Sequence, residues 1–376
     1  MPEPSTDRLA PASPPPEPAL KRLEIAGKLL AGAIAALFLY RPWRRRTLDR
    51  TPRRVLVVRV DHRVGEALLT TPVLETLKRL TPAPEVDVLV HPKIARVLQG
   101  HPAIDRLICV DPRRLGLAPF DGRIAELRRQ RYELVVNCAS WTAPSVSPSL
   151  LARWCGPDAV VVGPKLWPLT WLQTISVEPR PDTRSEVVQR VHLLSPLPGF
   201  SPVHRLSFRS PSVGEGVAAL LRELEASPFA VVNPGGRLDA RRVPAEVFAA
   251  GARSLSASGV RPVITWGPGE EPLAKEVAAA APGSALAPPT TIDELAALMA
   301  RARLTLCNNT GPMHLSVAVG APTLALFVAM EVERWGHGYA PHRMLDLTGR
   351  PAKDQCEQVE AELKSMLESP REALGA

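Results

Sequence analysis

Asn308-Asn309-Thr310-Gly311-Pro312-Met313-His314-Leu315 joins a buried-looking strand, Leu304 to Cys307, to an apolar Ala/Val-rich run that reaches Phe327. An amide pair, a hydroxyl, a glycine and an imidazole crowd into this one connection. Where a strand of an open α/β sheet feeds a helix N-terminus, unpaired backbone N–H groups and the helix dipole favour a phosphate-bearing ligand. A loop built only for connection needs no such set. The stretch therefore points to an α/β fold and nominates a ligand loop, with Asn309, Thr310, Gly311 and His314 as candidate contacts.

Outward from this loop, strand and helix alternate. Val55 to Val60 reads as a β-branched buried strand and Gly65 to Leu80 as a helix broken by Pro72. Strands at Val86 to Val90, Leu107 to Val110 and Leu134 to Asn137 enclose helices at Ile94 to Leu98 and Ile124 to Arg131. Residues 140–215 are rich in Pro, Trp and Ser, and only Ser185 to Leu194 reads there as a helix. The alternation restarts with strands Phe229 to Asn233, Pro262 to Thr265 and Leu304 to Cys307, and with helices Ala245 to Ser256, Leu273 to Ala280 and Ile292 to Ala300. Such a pattern predicts parallel, doubly wound sheets. The 376-residue length suits two domains. We expect two Rossmann-like halves, 55–210 and 211–376, with a linker near 200–215. The final helix, Gln355 to Leu367, is expected to pack back across the first half.

Composition bounds the rest. Residues 1–19 are dominated by Pro, Ser and Glu and read as a disordered tail. The five cysteines are scattered and never spaced C-x-x-C, which argues against a disulfide framework or a zinc site and for buried small hydrophobes in a reducing compartment. The net charge of +8 is uneven, with seven arginines and one aspartate between Arg41 and Arg54, just after the apolar stretch Leu29 to Tyr40. A spanning helix needs about 20 apolar residues, and this stretch is shorter. Residues 20–54 are thus expected to associate with a membrane, either lying in the interface with arginines on anionic headgroups or crossing once, the remaining alternative being an ordinary packing helix. No basic–aromatic interleaving suggests nucleic acid, no G-x-G-x-x-G follows a strand, and no D-x-D pair suggests a divalent metal.

Three further loops share the strand-to-helix position. The first, Arg59 to Glu66, places Asp61, Arg63 and Gly65 ahead of a carboxylate that can serve as a general base, or that simply complements a helix dipole. The second, Asn233-Pro234-Gly235-Gly236-Arg237 with Arg241-Arg242-Val243-Pro244 beyond it, offers backbone N–H groups and guanidiniums to a phosphate. The third, Trp266-Gly267-Pro268-Gly269-Glu270, places a carboxylate where ribose hydroxyls bind.

In order along the chain, these loops resemble the motifs of the lipopolysaccharide heptosyltransferases, glycosyltransferase family 9. The family's IR-x-D-x-I-G-D-x-L-L-T-T-P is similar to Val58-Arg59-Val60-Asp61 through Thr70-Thr71-Pro72, and its N-P-G followed by K-R-W-P to Asn233-Pro234-Gly235 and Arg241 to Pro244. Its G-G-P-G-E resembles Trp266 to Glu270, and its N-D-T-G-P-M-H-L-A-A-A-L-G-T-P resembles Asn308 to Pro322. The resemblance spans about Arg54 to Met366.

It implies a GT-B architecture, two Rossmann-like domains with parallel sheets facing across a cleft. It also implies inverting transfer of a heptose-like sugar from an ADP donor to a lipid-linked saccharide at the cytoplasmic face of the inner membrane, with no metal or other cofactor. Glu66 and Arg241 would be the catalytic pair, and Asp61, Arg63 and Gly65 would lie on the acceptor side. Asn233, Gly235, Gly236, Glu270, Asn309, Thr310, Gly311 and His314 would hold the donor. Four positions depart from the family: Glu66 replaces an aspartate, Arg241 a lysine and Asn309 an aspartate, and Phe327-Val328-Ala329-Met330 replaces F-G-P-T. These changes imply altered donor specificity or reduced activity, and a non-catalytic binding protein of the same fold is the alternative. An epimerase on this architecture would instead form product without an acceptor.

Overall fold

The computed structural model describes residues 48–112, 122–141, 146–166, 169–209, 211–236 and 238–368, together with Gly27 and Leu30. The expected tail at 1–19 and nearly all of the apolar and basic segment lie outside these residues. Among the described residues, no helix is long and apolar enough to cross a membrane.

Among the described residues, twelve strands form two sheets. The first holds β1 (Arg54–Arg59), β2 (Glu85–Val90), β3 (Arg106–Cys109), β4 (Leu134–Asn137), β5 (Val160–Pro164) and β6 (Ile175–Val177). The second holds β7 (Phe229–Asn233), β8 (Arg261–Ile264), β9 (Ala285–Leu286), β10 (Thr305–Asn308), β11 (Thr323–Phe327) and β12 (Arg343–Asp346). Every pairing is parallel, in the orders β3-β2-β1-β4-β5-β6 and β12-β11-β10-β7-β8-β9. Counted from its own first strand, each sheet therefore has the 3-2-1-4-5-6 order of a dinucleotide-binding fold, reversing beside its first and fourth strands. β1, β7 and β11 are fully or almost fully buried, as strands covered on both faces must be.

The helices are α1 (Val64–Leu68), α2 (Thr71–Lys78), α3 (Ala95–Leu98), α4 (Gly122–Arg129), α5 (Val146–Cys155), α6 (Glu186–His192), α7 (Glu215–Leu224), α8 (Ala245–Ala257), α9 (Glu271–Ala279), α10 (Ile292–Arg301), α11 (Gly311–Ala318), α12 (Val332–Trp335) and α13 (Ala352–Glu368). The break expected at Pro72 falls earlier, at residues 69–70, because proline is tolerated in the first turn of α2. The segment 140–215 holds more structure than its composition suggested. Ser and Pro open α5, and β5 runs into Gly163-Pro164, so neither shows a clean period.

The last helix corrects an expectation. α13 packs against α8 of the second half, not back across the first. Its buried Val359, Leu363 and Met366 form a stripe at helical spacing that joins the core of Phe248, Leu255 and Leu306. A second correction concerns the cysteines: all five are free, but Cys109 is exposed and Cys356 half-exposed. A continuous apolar cluster links Leu68, Leu98 and Leu193 to Val231, Leu295 and Leu315, so the halves are packed together.

Candidate active site

The candidate ligand loops gather where each strand order reverses. The turn after β1 leads to α1, that after β7 carries Pro234 to Gly236, and that after β10 leads to α11. Across the halves, the starts of α1 and α11 touch. A Cβ on Gly311 would lie 3.4 Å from Val64 Cβ, and one on Gly65 would lie 2.7 Å from the His314 ring. Gly65 leaves no room for a side chain, which would collide with the His314 ring, whereas a Cβ at Gly311 would make ordinary contact with Val64.

Glu66 sits at this junction, buried to 5% exposure. Arg59 from β1 and Arg190 from α6 both donate to its Oε2, while Oε1 faces Arg63, 3.4 Å away and half exposed. Burial alone would raise the Glu66 carboxyl, but Arg190, Arg59 and Arg63 overcome it and hold it down at about 2. Burial would lower the Arg190 guanidinium, and Glu66 and Glu186 raise it instead. Asp61 engages the Arg59 Nε at 2.5 Å and accepts from the Arg63 N–H at 3.2 Å. The network then crosses the cleft: Arg190 also reaches Glu186 at 3.3 Å, and Arg334 of α12 donates from Nε to Glu186 Oε1 at 3.0 Å.

On the second half, Asn308 ties the loops together. Its Nδ2 donates to the Pro234 and Gly235 carbonyls at 2.8 and 3.2 Å, and its Oδ1 accepts from the Val243 N–H at 3.0 Å. The Glu270 carboxylate lies in the glycine turn, accepting from the Gly236 N–H at 2.7 Å and the Gly267 N–H at 3.0 Å. Asn233 is buried and spends its Nδ2 on Thr265, so it braces β7 against β8. Arg241 is exposed. Arg242 is the arginine placed over the turn, its Cγ 2.9 Å from where a Gly236 Cβ would stand. A recess of about 450 Å³ opens beside it, lined by Arg242, Asp239, Pro244, Leu273 and Glu276. Arg237 lies outside the described residues.

Thr310 is the N-cap of α11 but makes no side-chain cap; Pro312 carries no N–H and the Met313 N–H donates to the Thr310 carbonyl at 3.1 Å, so the Gly311 N–H is the first-turn donor left to face an anion. The Asn309 Nδ2 is buried with no hydrogen-bond partner among the described residues. His314, buried, bonds through Nδ1 to His337 Nε2 at 2.8 Å. Burial brings the His314 imidazole down to about 4, with Glu66 opposing and Arg190 assisting. Among the described residues, no three His, Cys, Asp or Glu side chains are grouped to hold a metal ion.

The structure thus brings together Glu66, Gly65, Gly311 and His314, with Asp61 linked through Arg59 and Arg63 facing Glu66 directly, and separately Gly235, Gly236 and Glu270. Sequence reading passed over Arg190, Glu186, Arg334, His337 and the bracing role of Asn308. Glu186 and Arg190 carried a weak signal, an i,i+4 charge pair on the face of α6 that also bears Val187 and Val191. His337 had none. Asp87, isolated in the sequence, accepts from Tyr132 and Arg106 at 2.5 and 2.8 Å.

Comparison with known proteins agrees with this geometry. The profile of glycosyltransferase family 9 (heptosyltransferase) matches residues 179–365. Lipopolysaccharide heptosyltransferase 3 of Escherichia coli is 26% identical over 314 residues, covering 79% of this chain and 91% of that one. The family 9 glycosyl transferase from Veillonella parvula DSM 2008 superposes with a TM-score of 0.67 at 22% identity, over 88% of this chain and 93% of its own. E. coli heptosyltransferase WaaC with ADP superposes with a TM-score of 0.63 at 20% identity, over 84% and 99%. These last two likenesses establish the GT-B fold.

Proposed function

Because the chain belongs to glycosyltransferase family 9 (heptosyltransferase), we propose that it moves a heptose-like sugar from an ADP donor onto a lipid-linked saccharide. The observation that carries this reading is the meeting of α1 and α11 across the cleft. It sets the Glu66 carboxylate of one half beside the uncapped helix start and His314 of the other. A WaaC structure with ADP supports a nucleotide donor. The donor diphosphate would rest at the α11 N-terminus and the glycine turn, near Arg242, with Glu270 toward the ribose. Thr310, Gly311 and Asn309 would border the sugar. No metal is needed where guanidiniums and backbone N–H groups take up the leaving charge.

Inversion requires one in-line displacement, with the acceptor hydroxyl approaching from the first half. Glu66 Oε1 is the oxygen left for that proton, since both buried arginines occupy Oε2. So weak a base suits a transition state in which the sugar ring carries most of the positive charge before the proton leaves. Arg41 to Arg54 would bring the enzyme to anionic headgroups at the cytoplasmic face of the inner membrane.

The clamp on Glu66 also favours a second reading, a non-catalytic donor-binding protein of the same fold. Transfer from ADP-heptose to a lipid-linked acceptor, run beside calorimetry with ADP, separates the two. Turnover that falls in Glu66→Gln supports the enzyme; undiminished turnover in that variant removes Glu66 as base. ADP binding without any turnover establishes the second reading.

A further inference from the structure

We propose that His337 is a positioning residue of this site, fixing the proton of His314 on Nε2 so that a neutral N–H donor faces an oxygen of the bound nucleotide-sugar. The identity of that ligand rests on the glycosyl-transfer reading; the rest stands on geometry. His337 lies in the turn between α12 and β12, outside every motif of the sequence. Its Nε2 is 2.8 Å from His314 Nδ1, the rings stand at 89° to one another, and both are buried. One proton bridges those two nitrogens, so one ring donates and the other accepts. With both rings neutral, the tautomers are linked. A proton on His337 Nε2 leaves the proton of His314 on Nε2, whereas the reverse leaves His314 Nε2 a bare acceptor.

The surroundings choose between them. His314 Nε2 is turned toward the first half, where a Cβ on Gly65 would stand 3.3 Å from it. From α1 the Glu66 carboxylate attracts an N–H there, and from α6 Arg190 opposes it more weakly. From the second half, β10 adds only the thiol of Cys307. The charged groups of α10 are engaged elsewhere, Asp293 with Arg209, Glu294 with Thr291 and Arg301 with the Ala297 carbonyl. β11 has no titratable side chain. Behind His337 stand Tyr339, with Arg205 over its ring, and His342. Burial, then His314 and His342, keep His337 neutral. A donor of this kind binds a phosphate or sugar oxygen without carrying a charge that must be desolvated.

The test is nitrogen-15 NMR of histidine-labelled full-length protein, with and without ADP, alongside the rate profile from pH 5 to 8. The wild type is expected to show His314 as the Nε2–H tautomer with no titration in that range. His337→Leu is expected to mix the tautomers and lower kcat about tenfold, the worth of one hydrogen bond. It should also bring an acid limb into the rate profile, while His337→Gln, whose amide can still donate, recovers most of the rate. A wild-type Nδ1–H tautomer overturns the proposal. So does a folded His337→Leu protein, checked by its melting curve, with unchanged tautomer and flat profile. Absence of transfer in the wild type would defeat the functional reading alone, since the tautomer is read without turnover.

Discussion

Arg190, fully buried on α6, donates both to the backbone carbonyl of Glu66 at 3.2 Å and to its carboxylate, joining two helices 124 residues apart in the chain. The carboxylate proposed for proton transfer is thereby also the keystone of a buried ion cluster. The proposed chemistry and the stability would draw on the same atoms.

Removing Arg190 should therefore cost more than a surface charge would. Arg190→Met leaves Glu66 short of its principal partner, and loss of one member of a buried pair costs about 3–5 kcal/mol. Urea unfolding at pH 7 measures it. A loss below about 1 kcal/mol would show that Arg59 alone satisfies Glu66.

The same cluster gives stability a pH dependence. The folded Glu66 carboxyl is held at about 2 against an ordinary 4.5, so its contribution is complete above about 4.5 and is lost as pH falls through about 2. That difference corresponds to roughly 3 kcal/mol. The stability gap between wild type and Glu66→Gln should stay constant from pH 5 to 8 and narrow below pH 4. A gap that does not change in acid contradicts the clamp.

Gly235→Ala tests the Glu270 seat. The new methyl would lie 2.0 Å from Glu270 Oε2, so the carboxylate must leave the Gly236 and Gly267 N–H groups. We expect ADP affinity to fall about tenfold, consistent with one charge-assisted hydrogen bond, with the melting temperature nearly unchanged because the side chain that moves is flexible. Calorimetry with ADP reads the effect.

Arg334 and Glu186 hold the halves together across the cleft. Arg334 is 21% exposed, so the pair is partly screened and should weaken with salt. Arg334→Gln is expected to enlarge the radius of gyration in small-angle X-ray scattering and to lower kcat more than donor affinity. An unchanged scattering profile would assign closure to the apolar contact between α1 and α11 alone.

Gly251 on α8 admits α13. A Cβ there would meet Leu306 at 2.7 Å and Val359 at 3.2 Å, so Gly251→Val should cost about 1–3 kcal/mol through overpacking. Thermal unfolding checks this, and loss of α13 protection in hydrogen exchange would locate the damage.

Much of the fold was legible because its signals are local. β-branched runs such as Val55 to Val58 mark buried strands, and Asn-Pro-Gly or Thr-Gly-Pro punctuation marks the turns between strand and helix. Segment 140–215 resisted because α5 and β5 carry Ser, Pro and Gly inside their bounds, which blurs both periods. The last helix is legible as a helix, but its neighbour is not. Its stripe of Val359, Leu363 and Met366 states only that an apolar partner exists, and Gly251 supplies the groove.

The candidate site divides in the same way. Residue types at strand ends nominate Glu66, Gly235, Gly236, Glu270, Gly311 and His314 as candidates, because ligand chemistry draws on such groups wherever the backbone presents them. Arg241 was preferred to its neighbour by motif position, yet only the path of the chain through Asp239–Arg241 sets Arg242 over Gly236. Sequence alone determined the alternation of elements and the chemical kind of each loop, since both depend on neighbours a few residues apart. Tertiary structure decided that Arg190 clamps Glu66, that Arg334 reaches Glu186 and that His337 sets His314. Those contacts join residues from 23 to 148 positions apart, and they exist only once strand order and the packing of the two halves bring the loops together.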